Sequence, residues 1–146
     1  IPKDDSLMIS QSFISQINKK GEPLFFSASK KDGYWEGKSK SLGAFIVSRD
    51  SIAPKIKTVN FKNNQWVSNI NFLKLMVSDD YSGVKKIRGE LNGKWILLEY
   101  EPKTNSLTYD LNDIEFEEAL NQLIIEAQDY VGNKILFKSD FYRKSN

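Results

Sequence analysis

Apolar and polar residues alternate along most of this chain in short runs broken by glycine, proline, asparagine and aspartate, the pattern of strands with one buried face. The longest run, Leu123-Ile124-Ile125-Glu126-Ala127-Gln128, stops at Asp129-Tyr130-Val131-Gly132-Asn133 before Lys134-Ile135-Leu136-Phe137 begins. This predicts a strand, a tight loop and a strand. A shorter version occurs where Leu73-Lys74-Leu75-Met76-Val77 enters Ser78-Asp79-Asp80-Tyr81-Ser82-Gly83 and then Val84. Period two selects a core of Leu73, Leu75 and Val77; Ile87 and Leu91; Leu107, Tyr109 and Leu111; Leu123, Ile125 and Ala127; and Ile135, Phe137 and Phe141.

Residues 1 to about 50 carry shorter runs, at Leu7-Met8-Ile9, Phe13-Ile14, Leu24-Phe25-Phe26, Tyr34-Trp35 and Ala44-Phe45-Ile46-Val47. Lys19-Lys20-Gly21-Glu22-Pro23 and Lys31-Asp32-Gly33 supply turns between them. Four or so strands are few for an independent sandwich. They suggest the later half of a β-domain that begins upstream, or a sheet leaning on its neighbour. At Arg49-Asp50-Ser51-Ile52-Ala53-Pro54 the proline restricts Ala53 to extended conformations, which marks a short, stiff linker.

Beyond the linker, seven strands are predicted at 55–59, 72–78, 84–91, 94–100, 106–111, 121–128 and 134–143. Asn92-Gly93 between two of them supplies both positive-φ positions of a type I′ hairpin. The expected fold is therefore all-β, two tandem β-sandwich modules. The first, at 1–49, is read as partial, and the second, at 50–146, as an immunoglobulin-like sandwich of about seven strands. Residues 113–128 also fit a helix, since Phe116, Ala119 or Leu120, Leu123, Ile124 and Ala127 fall three or four apart; a single helical turn near 115–119 leading into the strand is a compromise.

Composition narrows the chemistry. The 146 residues are 40% hydrophobic, enough to bury a core. With 21 basic against 19 acidic side chains, the net charge of +2 gives no reason to expect nucleic acid. No apolar run approaches the roughly 20 residues of a spanning helix, so no membrane span is expected here. There is no cysteine and no histidine. Their absence removes disulfides, thiolate and imidazole zinc sites, cysteine nucleophiles and the usual hydrolytic triads, and the expectation is that this chain is not an enzyme. Glu115, Glu117 and Glu118, adjacent on a solvated face, lack the separation and the raised pKa that an acid–base pair needs.

In an immunoglobulin-like order, the two acidic corners lie at the pole where the chain enters. This would gather Asp79, Asp80, Asp129 and Asn133 near Asp50. Such side chains accept hydrogen bonds from their own turns, and that explanation is preferred; converging oxygen ligands make calcium the alternative. No other metal or cofactor is expected. Tyr81 and Tyr130, in the same corners, are expected to pack against the first module, with a ligand surface as the alternative. Trp66, in a polar loop, is a further candidate for a partner or glycan surface, whereas Trp95 beside the hairpin is expected in core or cross-strand packing.

One resemblance is specific. Leu42-Gly43-Ala44-Phe45, Asp50-Ser51-Ile52-Ala53-Pro54, Trp66-Val67-Ser68, Ser78 through Val84, Asn92-Gly93-Lys94-Trp95 with the following Glu99-Tyr100, Leu107-Thr108-Tyr109, Asp129 through Asn133 and Phe141-Tyr142-Arg143-Lys144 together resemble the C-terminal region of bacterial envelope proteins that carry a lysostaphin-type zinc peptidase domain. That domain's zinc-binding histidines have no counterpart here. The resemblance implies a non-catalytic accessory region, exported to the cell envelope, periplasmic or surface-exposed, with Ile1 opening a trimmed fragment and Asn146 near the natural C-terminus. Its partners would be the peptidase domain in cis, and peptidoglycan or another glycan. The alternative is a stand-alone carbohydrate-binding or adhesive module.

Overall fold

The computed structural model describes residues 10–116 and 119–144. The expected strand at Leu7-Met8-Ile9 and the residues Glu117 and Glu118 of the helical alternative lie outside that set. Every element within it is a strand, so the fold is all-β. No helix among the described residues is long and apolar enough to cross a membrane.

The first five strands are β1 (Ser12–Ile17), β2 (Pro23–Phe26), β3 (Ala28–Lys31), β4 (Tyr34–Gly37) and β5 (Phe45–Arg49). Antiparallel pairing gives a three-stranded sheet in the order β2-β1-β5 and a separate hairpin, β3-β4. The hairpin turns at Asp32 and Gly33, both at positive φ. It lies close to the sheet: a Cβ on Gly37 would sit 2.5 Å from Phe26 Cε1. β1 buries Phe13 and Ser15, and the Ser15 hydroxyl donates to Ser48 Oγ at 2.6 Å. Among the described residues β5 pairs with β1 alone, and its Phe45, Ile46 and Val47 are exposed.

The remaining strands are β6 (Lys55–Thr58), β7 (Gln65–Trp66), β8 (Phe72–Ser78), β9 (Val84–Leu91), β10 (Lys94–Ile96), β11 (Glu99–Glu101), β12 (Ser106–Asp110), β13 (Leu120–Asp129) and β14 (Lys134–Tyr142). They form two sheets, β11-β12-β8-β6 and β10-β9-β13-β14-β7, the arrangement of an immunoglobulin-like sandwich. The facing residues form one core that includes Leu73, Leu75, Val77, Leu91, Leu107, Tyr109, Leu111, Leu123, Ile125, Ala127 and Phe141, with Ile87, Ile135 and Phe137 packed at its margin. All fourteen positions selected by alternation thus face inward.

Three details differ from the pattern reading. The single strand expected at 94–100 is two strands on opposite sheets: β10 pairs with β9, and β11 pairs with β12. Ile96 is buried and Leu98 and Tyr100 pack against the core, so the alternation passes unbroken across the switch while the hydrogen-bond partner changes. Gly89 makes room for this crossing, because a Cβ there would lie 2.5 Å from Leu98 Cδ1. Second, Trp95 points outward, 63% exposed. It stands opposite Glu90 on the solvent face of the hairpin, one residue out of phase with buried Ile96. Third, Gln65–Trp66, expected as loop, adds a short parallel strand to the end of β14. From Leu120 to Asp129 the ambiguous segment is a strand between β9 and β14, and its alternating burial shows why strand wins there over helix.

The Tyr109 hydroxyl is buried without a hydrogen-bond partner among the described residues. Removing a buried, unsatisfied polar atom while keeping the ring is close to neutral or stabilising. Tyr109→Phe should therefore leave the urea midpoint unchanged or raise stability by up to about 1 kcal/mol. A loss larger than that would show that the hydroxyl has a partner.

Candidate functional site at the module junction

The sandwich alternation carries one residue past its apolar members. In β13 the inward phase runs Leu123, Ile125, Ala127 and then Asp129, which is fully buried at the pole. Its Oδ1 accepts the backbone N–H groups of Val131, Gly132 and Asn133 at 3.0, 2.6 and 2.8 Å, closing the turn to β14. Gly132, at φ 101°, holds a conformation that a side chain would strain. In the other corner, Asp79 Oδ1 accepts the N–H groups of Tyr81 and Gly83 at 3.1 and 2.8 Å. The corners are joined by Tyr130 N–H donating to the Gly83 carbonyl.

The linker is tied into this pole. Asp50, 1% exposed, accepts the Ser82 hydroxyl at 2.6 Å and the Ser82 N–H at 3.0 Å through Oδ2, and the Ile52 N–H through Oδ1. The Asn133 amide donates to the Asp50 carbonyl at 3.0 Å and to Asp129 Oδ2 at 2.7 Å, and its oxygen accepts from Gln11 Nε2 at 2.9 Å. Pro54 is buried behind them. Aromatic contact continues the junction: Phe13 lies 5.6 Å from Phe25, whose ring is 4.4 Å from that of Tyr130.

Of the acidic residues selected from the sequence, Asp50, Asp79 and Asp129 each present an oxygen within 4.8 Å of the other two, with Asn133 bonded to two of them. Asp80 does not join them. It points out to solvent and pairs with Lys55, while Asp79 beside it turns inward to close the corner on the Tyr81 and Gly83 N–H groups. Tyr130 packs on Phe25, whereas Tyr81 is left 54% exposed. Trp66 is remote from both tyrosines: it stacks on Tyr142 at 5.3 Å, at the far end of β14. Nine residues of strand, about 30 Å, separate that end from the acidic pole. Sequence reasoning passed over Ser82 and Gln11, which complete the junction. Ser82 carried a signal in its place beside Asp79 and Gly83 within the corner, but only the fold brings it to Asp50.

The oxygen-only donor set suits a hard cation such as calcium. Most of these oxygens are, however, already taken by N–H and O–H donors, which accounts for their placement as turn formers. Asp79 is the member left electrostatically strained. Burial pushes its pKa above the ordinary 3.8, the N–H groups of Gly83 and Tyr81 oppose this, and Asp50 and Asp129 push it further up.

No family model and no curated protein sequence matches the chain. Among solved structures, an endo-beta-1,4-mannanase from Thermotoga petrophila is similar over 66% of this chain at 9% identity and a TM-score of 0.52. The match spans 21% of that enzyme's chain, and the likeness is one of fold. CopC from Methylosinus trichosporium OB3b matches 62% of this chain and 94% of its own at 14% identity and a TM-score of 0.45. The Clostridium thermocellum CbhA fibronectin(III)-like modules match over 88% of this chain and 58% of theirs, at 12% identity and a TM-score of 0.48.

Because the folded-state pKa of Asp79 lies above its unfolded value, ionised Asp79 costs stability at neutral pH. That cost is relieved as pH falls through the folded pKa toward 3.8. Asp79→Asn keeps an oxygen for the two N–H groups, so in EDTA at pH 7 it should raise the melting temperature, on the order of 2 °C, and flatten the pH dependence on the high side of the ordinary 3.8. If the acidic side chains act only as turn formers, the wild-type melting temperature is the same in calcium and in EDTA. A calcium-dependent rise that Asp79→Asn abolishes would assign the cluster to a cation.

Proposed function

We propose that this chain is a non-catalytic accessory β-region that packs against, and positions, a catalytic domain of the same polypeptide. The observation that carries this reading is the edge strand β5, which among the described residues leaves Phe45, Ile46 and Val47 exposed on an unpaired edge while the sandwich beside it has a closed core. Apolar residues in a row on an open edge favour burial against another surface. The junction adds a second support: with Asp50 and Asn133 tying the linker to both corners, a surface docked on β5 would be held in a fixed orientation to the sandwich. The lack of histidine and cysteine favours an accessory role. The finer reading, in which the catalytic partner is a lysostaphin-type peptidase working on peptidoglycan in the bacterial envelope, is supported by the residues from Asp50 to Lys144 that resemble that family's C-terminal region.

A second reading, a carbohydrate-binding or adhesive module, is favoured by Trp66, which stacks on Tyr142 and stays 54% exposed, forming an open aromatic platform.

Parallel pull-downs separate the two. Capture by a lysostaphin-type peptidase domain, lost in Val47→Asp at unchanged melting temperature, is the expected result. Capture by purified peptidoglycan alone, lost in Trp66→Ala, would favour the binding module. Binding to neither would overturn both.

A further inference from the structure

A cleft of about 540 Å³ opens where the first module meets the sandwich, within the roughly 300–1,000 Å³ typical of small-ligand sites. Phe13, Phe25, Lys30 and Trp35 line it from the first module, and Lys85 and Tyr130 from the second. Neither module forms it alone. No acidic side chain lines it among the described residues.

The local structure explains how each group comes to face the cleft. Along β9 the pairing with β13 runs Lys86 opposite Gln128 and then Val84 opposite Asp129, so Lys85 is the extra residue of a β-bulge. The bulge turns Val84 in to pack on the core and frees exposed Lys85 to reach the cleft instead of the sandwich interior. Tyr130 packs on Phe25 with its ring tilted by 32° yet keeps nearly half its surface exposed. Trp35, on the hairpin, carries Lys30 Nζ 6.0 Å from its ring centroid, a cation held beside an aromatic plane.

The geometry points to a binding site for a carboxylated sugar chain in this cleft. Flat aromatic rings receive the apolar faces of sugar rings, as amphipathic aromatic groups do at other interfaces. Two lysines, one from each module, supply charge-assisted hydrogen bonds to carboxylates, with no acidic neighbour lining the cleft to repel them. A nucleic acid fits less well, because its affinity rests on many phosphate contacts, whereas this cleft offers two cations in a chain of net charge +2. Trp35 also borders the pocket beside Phe45 of β5, whereas Lys85 lies apart from both that pocket and the Trp66 platform, so Lys85→Gln reads this site independently of the proposed function.

Calorimetric titration of the whole chain tests it, with oligogalacturonate as the carboxylated probe, neutral oligogalactose as its uncharged counterpart and polyglutamate as an acidic peptide. Oligogalacturonate should bind, more weakly as salt is raised, with Kd at least tenfold higher in Lys85→Gln and Trp35→Ala and unchanged in Lys138→Gln on the outer face of β14. Lys85 lies exposed on a bulge, so Lys85→Gln carries the test if Trp35→Ala disturbs the hairpin. Equal binding of the neutral probe, equal binding of polyglutamate, no binding at all, or an unaltered Kd in Lys85→Gln each overturns the proposal.

Discussion

Burying the Asp50 carboxylate at the end of β5 is tolerable only because Ser82 gives it both a hydroxyl and a backbone N–H, and Ile52 a third donor. Charge-assisted bonds of this kind are among the stronger ones available to a fold, and a missing partner would leave a desolvated charge. The bond therefore does two jobs. It fixes the β8–β9 corner from outside the sandwich, and it fixes the direction in which the chain leaves the first sheet. Asn133 does the same for the β13–β14 corner, reaching the Asp50 and Ile52 carbonyls on one side and Gln11 on the other. Both the acidic pole and the aromatic cleft depend on this arrangement.

The two poles of the sandwich are built differently. At the junction, polar side chains close turns and bind the linker. At the far end, Arg143 is buried, donates to the carbonyls of Val67 and Ile70 at 3.2 and 2.7 Å and lies over the Phe116 ring, while Phe116 and Phe61 meet Phe141 edge-on. A guanidinium suits that place because its several donors can satisfy carbonyls of a loop that has no ladder of its own. The far pole is thus sealed from within, and the near pole is sealed by its neighbour.

Alternation made the sandwich legible, since a two-residue period reports which side chains face inward and needs no knowledge of partners. It held even through Leu97 and Leu98, where the strand changes sheets, and for that reason it could not reveal the change. The bulge at Lys85 was hidden for a related reason: Val84 and Lys86 look like one phase until β13 is laid beside them. The two acidic, glycine-containing turns marked the corners, and the immunoglobulin-like order brought them to one pole. It could not separate Asp79 from Asp80, because adjacent acidic residues of one turn differ only in the direction they face. Trp66 read as a loop residue because a two-residue parallel pairing leaves no periodic trace. The Lys85–Trp35 cleft needed two modules in contact, which no local pattern encodes.

The corner bonds also change how the chain bears tension. Were the linker a plain tether, a pull on the first sheet would fall on β6 and peel its four-residue pairing with β8 one rung at a time. With Asp50 held by Ser82 and Asn133, the same pull is shared with the loops that join β8 to β9 and β13 to β14. Load then reaches strands in the middle of both sheets, where rungs must shear together. The side chains at the junction thus act on the linker as a mechanical clamp.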